Sequence, residues 1–276
     1  MGNCNSCPSK GNCNKQASCT IENNPNNKIK NIIGIMSGKG GVGKSTITSL
    51  IAKKLAKEGY KVGILDADIT GPSIPRLMGV QYERAFSNNG KDIYPIITKE
   101  NIKTMSVNFL LEDESQPVVW KGPLISNTIK QFYKDVMWEE LDYLLIDMPP
   151  GTGDVALTVM QLIPLTGMIM VSVPQDMISM IVAKGINMAK KLNVNILGIV
   201  ENMSYIQCPD CDKKNKLFDG EETEEFLSDM NVDLLAELPM TREIIEITHK
   251  GSEEVSNELD IILSNIVEKI NDKISK

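Results

Sequence analysis

The chain is poor in aromatic residues: Phe, Tyr and Trp together make up 5% of its 276 positions. Its core must therefore be built from Ile, Leu, Val and the 15 Met. Histidine is nearly absent, with His249 standing alone, so a metal site in this chain draws on thiolates and carboxylates rather than imidazoles. No run of about 18 apolar residues occurs, which excludes a membrane-spanning helix. The opening stretch, Met1 to Cys13, lacks the apolar segment of a secretory signal, so the expected location is the cytoplasm. Positive charge is not in excess either. The formal net charge is −7 and no basic stripe stands out, which argues against nucleic acid as a partner.

What is present is ordinary for a globular protein, with 42% apolar and 24% charged residues. A chain of this length removes roughly three-quarters of its unfolded surface from water, so one conventional core suffices. Charge is unevenly spread. Residues 219–276 hold 16 acidic and 5 basic side chains (−11), leaving 20 acidic and 24 basic (+4) for the other 218. That division suits a phosphate-binding body with an acidic carboxy-terminal part.

Residues 1 to 28 are rich in Asn, Lys, Ser and Gly and are expected to be a flexible leader, unordered unless a metal organises it. A single domain is expected over 29–276. Strands are predicted at Ile32–Met36, Val62–Leu65, Leu141–Ile146, Met168–Val173, Ile196–Val200 and Leu234–Leu238. Helices are predicted after Gly43, over Met177–Leu192, and near the end, where Val255, Leu259, Ile262, Ile266 and Ile270 form one stripe. The stretch from Gly71 to about Glu114 gives no clear pattern. Apolar strands alternating with amphipathic helices point to an α/β fold, a mainly parallel sheet covered by helices on both faces.

Gly38-Lys39-Gly40-Gly41-Val42-Gly43-Lys44-Ser45 fits the phosphate-binding loop G-x-x-x-x-G-K-[ST], placed between a strand and a helix as that loop requires. Glycines let backbone N–H groups turn inward around phosphate oxygens, and the helix amino terminus adds positive potential. Residues Gly38 through Thr46 are thus the expected ATP contacts. Lys44 would reach the β and γ phosphates and Ser45 would ligate Mg2+. Asp66 and Asp68 close the second strand and Asp147 closes the run Leu144-Leu145-Ile146, where carboxylates at strand ends suit magnesium and water. Lys39 is a second lysine that the loop does not demand, and by itself it reads equally as a solvated charge.

All six cysteines lie in two places. Cys208 and Cys211 form one C-x2-C, half of a four-thiolate site. Spacing alone leaves zinc, a redox dithiol and a site shared with a symmetry mate open. Cys4, Cys7, Cys13 and Cys19 are expected either to wrap a cluster within one chain, to bind zinc, or to serve as a docking arm.

The loop from Gly38 to Ser45 resembles the deviant P-loop of the dimerising ATPases that include MinD, ParA and the nitrogenase iron protein. Finer motifs narrow the resemblance. Asp66 to Pro75, Trp120-Lys121-Gly122-Pro123, Asp147 to Asp154, Lys184 to Met188, Glu201 to Tyr205 and Cys208-Pro209-Asp210-Cys211 together are similar to the Mrp/ApbC-type iron–sulfur cluster carrier ATPases, from about residue 30 to 250. The resemblance implies a homodimer that holds a [4Fe–4S] cluster and passes it to apo-proteins, with ATP and slow hydrolysis. It further implies that Lys39 reaches the opposite subunit's nucleotide, that Asp68 positions the attacking water, and that Asn202 contacts adenine. Some relatives carry a leader cluster on C-x13-C-x2-C-x5-C. Cys4, Cys7 and Cys13 match its last three cysteines, and Cys19 would replace the first.

Other classes remain to be weighed: a MinD/ParA-like spatial switch, a zinc-binding P-loop ATPase, and an electron donor. The terminal helix bears Glu253, Glu254, Glu258, Asp260, Glu268 and Asp272 on its polar face, and anionic lipid repels such a face. No membrane partner is expected.

Overall fold

A computed structural model of the chain describes residues 21–275, apart from 70, 112–119, 121, 178–179, 209, 212, 217–220 and 251–254. The leader cysteines Cys4, Cys7, Cys13 and Cys19 lie outside the described residues, as do Thr70, Lys121 and Pro209 of the motifs above. Of the expected leader, the final residues lie against the body. The Ile21 amide donates to the Leu162 carbonyl at 2.8 Å, and Asn27 Nδ2 donates to the Val136 carbonyl at 2.9 Å.

The central strand β1 (Lys28–Ser37) is a β-rich apolar run, buried from Ile32 onward. It pairs in parallel with β5 (Glu140–Asp147) on one side and β6 (Gly167–Ser172) on the other. Beyond β5 lie β2 (Val62–Asp66), β4 (Lys103–Met105) and the antiparallel edge strand β3 (Ile96–Ile97). Beyond β6 lies β7 (Ile196–Gln207), which pairs with both β9 (Leu234–Pro239) and the antiparallel β8 (Lys214–Lys216). The sheet is mainly parallel, as expected. The chain steps outward from β1 in both directions, so the carboxyl ends of β1, β2 and β5 border a switch point.

Helices cover both faces. Helix α1 (Lys44–Lys57) presents Ile47, Leu50, Ile51 and Leu55 to one side of the sheet, and α9 (Asn257–Ile274) packs there with it. The short α2 (Ile74–Leu77) and α8 (Arg242–Lys250) join that face through Ile74, Leu77, Ile244 and Ile247. On the other face lie α3 (Gly122–Lys134), α4 (Asp154–Leu162), α6 (Met180–Lys191) and α7 (Glu221–Met230). Although aromatics are few, Trp138, Phe109, Phe132 and Tyr205 are among the largest fully buried side chains.

Three expectations are adjusted. Helical structure begins before the expected Met177, in α5 (Pro174–Met177), and α6 ends at Lys191 rather than Leu192; residues 178–179 lie outside the described residues. Strand β7 runs seven residues past Val200, because its polar second half still finds backbone partners in β8 and β9. In α9 the buried stripe is Leu259, Leu263, Ile266, Val267 and Ile270, with Leu263 inside where Ile262 was expected. Among the described residues no helix is long and apolar enough to cross a membrane.

Candidate functional site

The turn after β1 tightens at once: Ser37 Oγ donates to the Lys39 carbonyl at 2.8 Å and the Gly151 amide donates to the Ser37 carbonyl at 2.8 Å. The chain then enters α1 through Gly43, whose φ of +85° is a left-handed conformation that only glycine adopts without strain. Space imposes glycine there as well, since a Cβ would lie 2.2 Å from Asn202 Nδ2.

Lys44 does not point into solvent. Its Nζ lies 2.8 Å from Asp147 Oδ2 and 3.8 Å from Asp68 Oδ2, and both Lys44 and Asp147 are buried. Asp147 is further held by hydroxyls. Ser45 Oγ donates to Oδ2 at 2.6 Å and Thr48 Oγ1 donates to Oδ1 at 2.8 Å. Asp66 sits fully buried beside it, accepting from Ser106 Oγ at 3.1 Å and from the Asp68 amide at 3.2 Å. Burial first, and the Asp147 carboxylate second, push Asp66 well above the usual carboxylate range. Asp68 is half-buried at the mouth. The structure thus brings Lys44, Ser45, Asp66, Asp68 and Asp147 into one polar cluster beneath the loop.

Above that cluster opens a cleft of about 850 Å³. Lys39, Gly40, Gly41, Gly43, Lys44, Ser45, Thr46, Asp68 and Asn202 line it. Gly38 and Val42, also expected to contact ATP, are not among its lining residues; the Val42 carbonyl accepts from Asn202 Nδ2 at 2.9 Å. The Oδ1 atom of Asn202 is buried and has no partner, an acceptor held at the cleft. The size suits a nucleotide. Hard oxygen donors at its base (Ser45 and Asp147, with Asp66 behind) suit magnesium better than a soft metal. Among the described residues no three His, Cys, Asp or Glu side chains form a ready-made metal site, so phosphate oxygens and water would complete the shell.

Sequence reasoning missed several contributors. Arg76, Leu77 and Asn108 line the cleft from the stretch that gave no pattern, and Met203 and Ile244 from β7 and α8. Thr48 was detectable, as the residue one turn after Lys44 on the same helix face. Ser106 was not, because its link to Asp66 spans a sheet pairing.

Cys208 and Cys211 lie apart from this cluster, at the turn of the β7–β8 hairpin. The Cys208 amide donates to the Lys213 carbonyl at 2.9 Å and closes the turn. Cys208 is half-buried, Cys211 is exposed, and neither is in a disulfide.

Comparison with known proteins agrees with this geometry. The ParA family model described as NUBPL iron-transfer P-loop NTPase matches residues 28–275. An iron-sulfur cluster carrier protein of Clostridium perfringens is 47% identical, covering 92% of this chain and 94% of that protein. One of Methanocaldococcus jannaschii is 45% identical, covering 99% and 98%. Among solved structures, a nucleotide-binding protein of Archaeoglobus fulgidus in complex with ADP is 42% identical, with a TM-score of 0.72 over 81% of this chain and 87% of that one. The cell division ATPase MinD of Pyrococcus furiosus, 24% identical with a TM-score of 0.61 over 88% of this chain and 98% of its own, shares the fold. The loop, the buried carboxylates beneath it and the matched length together make this chain a member of the NUBPL iron-transfer P-loop NTPase family.

Proposed function

We propose that the chain is an ATP-dependent iron–sulfur cluster carrier. It binds ATP with Mg2+ in the cleft and hydrolyses it slowly. It holds a [4Fe–4S] cluster on Cys208 and Cys211 together with a second copy of itself, and delivers the cluster to apo-proteins. The observation that carries this reading is the placement of both features on one strand. Asn202 of β7 reaches the cleft, and six residues later, just past the end of the same strand, comes the thiol pair, with Cys208 half-buried and Cys211 exposed. A cubane needs four thiolates and this pair supplies two, so a two-fold axis through the hairpin would complete the set. A cytoplasmic, reducing setting suits such thiolates.

In the cleft, Lys44 would leave Asp147 for the β and γ phosphates, a displacement of one anion by another. Ser45 and Asp147 would hold the magnesium ion, with Asp66 behind them, and the ion would neutralise charge on the phosphates. Asp68, near enough to Lys44 to sense the phosphates, would orient the attacking water. Lys39 would act across the dimer and Asn202 Oδ1 would accept from the adenine amino group.

The test is anaerobic reconstitution of the full chain with Cys4, Cys7, Cys13 and Cys19 replaced by serine. Mössbauer and visible spectra should show a [4Fe–4S] cluster at two irons per chain, and Cys208→Ser should abolish it. Stoichiometric zinc, or no iron at all, would contradict the proposal.

A further inference from the structure

Thr48 carries one hydroxyl proton and has two acceptors for it. Its Oγ1 lies 2.8 Å from Asp147 Oδ1 and 3.0 Å from the Lys44 carbonyl, one turn earlier in α1. The side chain is fully buried, so bulk water does not compete for that proton. A charged acceptor forms the stronger bond, so the carboxylate holds the proton in the nucleotide-free protein. The next residue shows what the helix alone provides: Ser49 Oγ donates to the Ser45 carbonyl at 2.9 Å, an ordinary back-bond within the helix. The bond from Thr48 divides the two oxygens of Asp147. Lys44 Nζ and Ser45 Oγ both approach Oδ2, at 2.8 and 2.6 Å, while Thr48 occupies Oδ1. The partners of Oδ2 belong to the phosphate loop and are the groups that nucleotide and magnesium would claim. Thr48 sits one turn deeper and does not line the cleft, so its bond to Oδ1 is out of the ligand's way.

We infer that Thr48 is a positioning residue for the magnesium site: it pins Oδ1 of Asp147, so that Oδ2 stays aimed at Ser45 whether the counter-charge is Lys44 or the metal. The inference rests on the reading that Ser45 and Asp147 hold magnesium, and it adds the residue that aims the carboxylate. Asp147 is the last residue of β5, and a carboxylate turns easily about its terminal torsion. Without the Thr48 hydroxyl both oxygens are free to swing toward the Lys44 ammonium and the Ser45 hydroxyl. That rotation would tighten the pair that closes the empty site and misdirect the oxygen meant for the metal. Thr48 itself is not stranded by loading. Once the charge on Asp147 is neutralised, the hydroxyl proton has the Lys44 carbonyl within reach as its second acceptor. A buried hydroxyl with two acceptors stays satisfied in both states.

The experiment is calorimetric titration of the full chain with ADP, in EDTA and over a series of Mg2+ concentrations. Thr48→Val keeps the shape of the side chain and removes the hydroxyl. Its ADP affinity in EDTA should equal the parent's, which also shows that the chain folds. The Mg2+ concentration giving half of the metal-dependent gain in affinity should rise by about 10- to 100-fold, the usual loss when a residue that orients a metal ligand is removed. Thr48→Ala, which also lacks the hydroxyl, should shift it likewise, and Thr48→Ser should return it to the parent value. Ser49→Ala removes a buried hydroxyl that makes only a back-bond in the same helix, and should leave the Mg2+ dependence as it is. Asp147→Asn should abolish the metal-dependent gain. Parent-like Mg2+ dependence in Thr48→Val and Thr48→Ala, beside an Asp147→Asn chain that has lost it, overturns the positioning role and leaves the magnesium reading intact. Equal losses of ADP affinity with and without Mg2+ would show a structural role alone and overturn it too, as would an equal shift in Ser49→Ala. A parent whose ADP affinity ignores Mg2+ overturns both.

Discussion

Gly43→Ala isolates the fit between the loop and β7. The added methyl meets two obstacles of different origin. At φ +85° an L-residue costs about 1–2 kcal/mol from contact between its Cβ and its own backbone. The Cβ also lies 2.2 Å from Asn202 Nδ2, so Asn202 must move and break its 2.9 Å bond to the Val42 carbonyl. Asn202 is buried, and unpairing those groups adds about 1–3 kcal/mol. The sum is a loss of about 2–5 kcal/mol, which at this chain length lowers the melting temperature by about 2–4 °C per kcal/mol. In an Asn202→Ala background the second obstacle is gone, and the same substitution should cost only the backbone share, about 1–2 kcal/mol. Thermal unfolding of the four chains in the cycle, with ADP titrations alongside, reads the difference directly. Equal losses in both backgrounds would show that Asn202 does not press on the loop, and the described packing would be refuted.

Lys44→Ala should abolish ATP binding by calorimetry and, by stranding the buried Asp147 carboxylate, destabilise the nucleotide-free protein by about 3–5 kcal/mol. Adding Asp147→Asn should recover much of that stability without recovering binding. Asp68→Asn should bind ATP as the parent does and hydrolyse it far more slowly; unchanged turnover would assign water positioning elsewhere. Asp260 accepts from Lys57 at 2.9 Å and from Lys54 at 3.0 Å, and these bonds hold it below the usual carboxylate range. Its contribution is therefore present above about pH 4 and lost as pH falls below that. Asp260→Ala should cost about 1–2 kcal/mol at pH 7, since Lys54 is largely buried, and nothing at the acid end. Tyr143, buried and bonded to Asn271, is pushed up to about 12, chiefly by burial. Its folded value lies above the unfolded one of about 10, so the stability it confers is complete below pH 10 and fades as pH rises toward 12. Burial pushes Tyr133 up as well, so ultraviolet titration should show late-titrating tyrosine absorbance that Tyr143→Phe reduces by one tyrosine.

The phosphate loop and its flanking elements were legible because two independent signals coincide there, an apolar run into Ser37 and a glycine-rich turn into a helical stripe. The stretch after Gly71 was not. Helix α2 spans four residues, β3 two and β4 three, each too short to repeat the pattern that would announce it. Arg76, Leu77 and Asn108 reach the cleft from that stretch, so this part of its wall had no local signature. The second half of β7 was missed for a different reason. Glu201, Asn202 and Ser204 are polar yet buried, paired through Ser204 to Glu201 and Asn202 to Val42, and polarity alone reads as loop. The thiol pair was visible from spacing, but its place at the turn of a hairpin on the strand that also serves the cleft required the fold.

The most direct test of the carrier reading is transfer itself. The full chain, loaded anaerobically with its leader cysteines replaced by serine, is mixed with the apo form of an enzyme that needs a [4Fe–4S] cluster for activity. Recovered activity is followed with ATP, with no nucleotide, and in the presence of a chelator that scavenges free iron. The account predicts activation that persists with the chelator, disappears in Cys208→Ser and Cys211→Ser, and requires ATP and Lys44. A loaded protein that retains its cluster in the presence of apo-enzyme and ATP, or activation that survives loss of both cysteines, would contradict it.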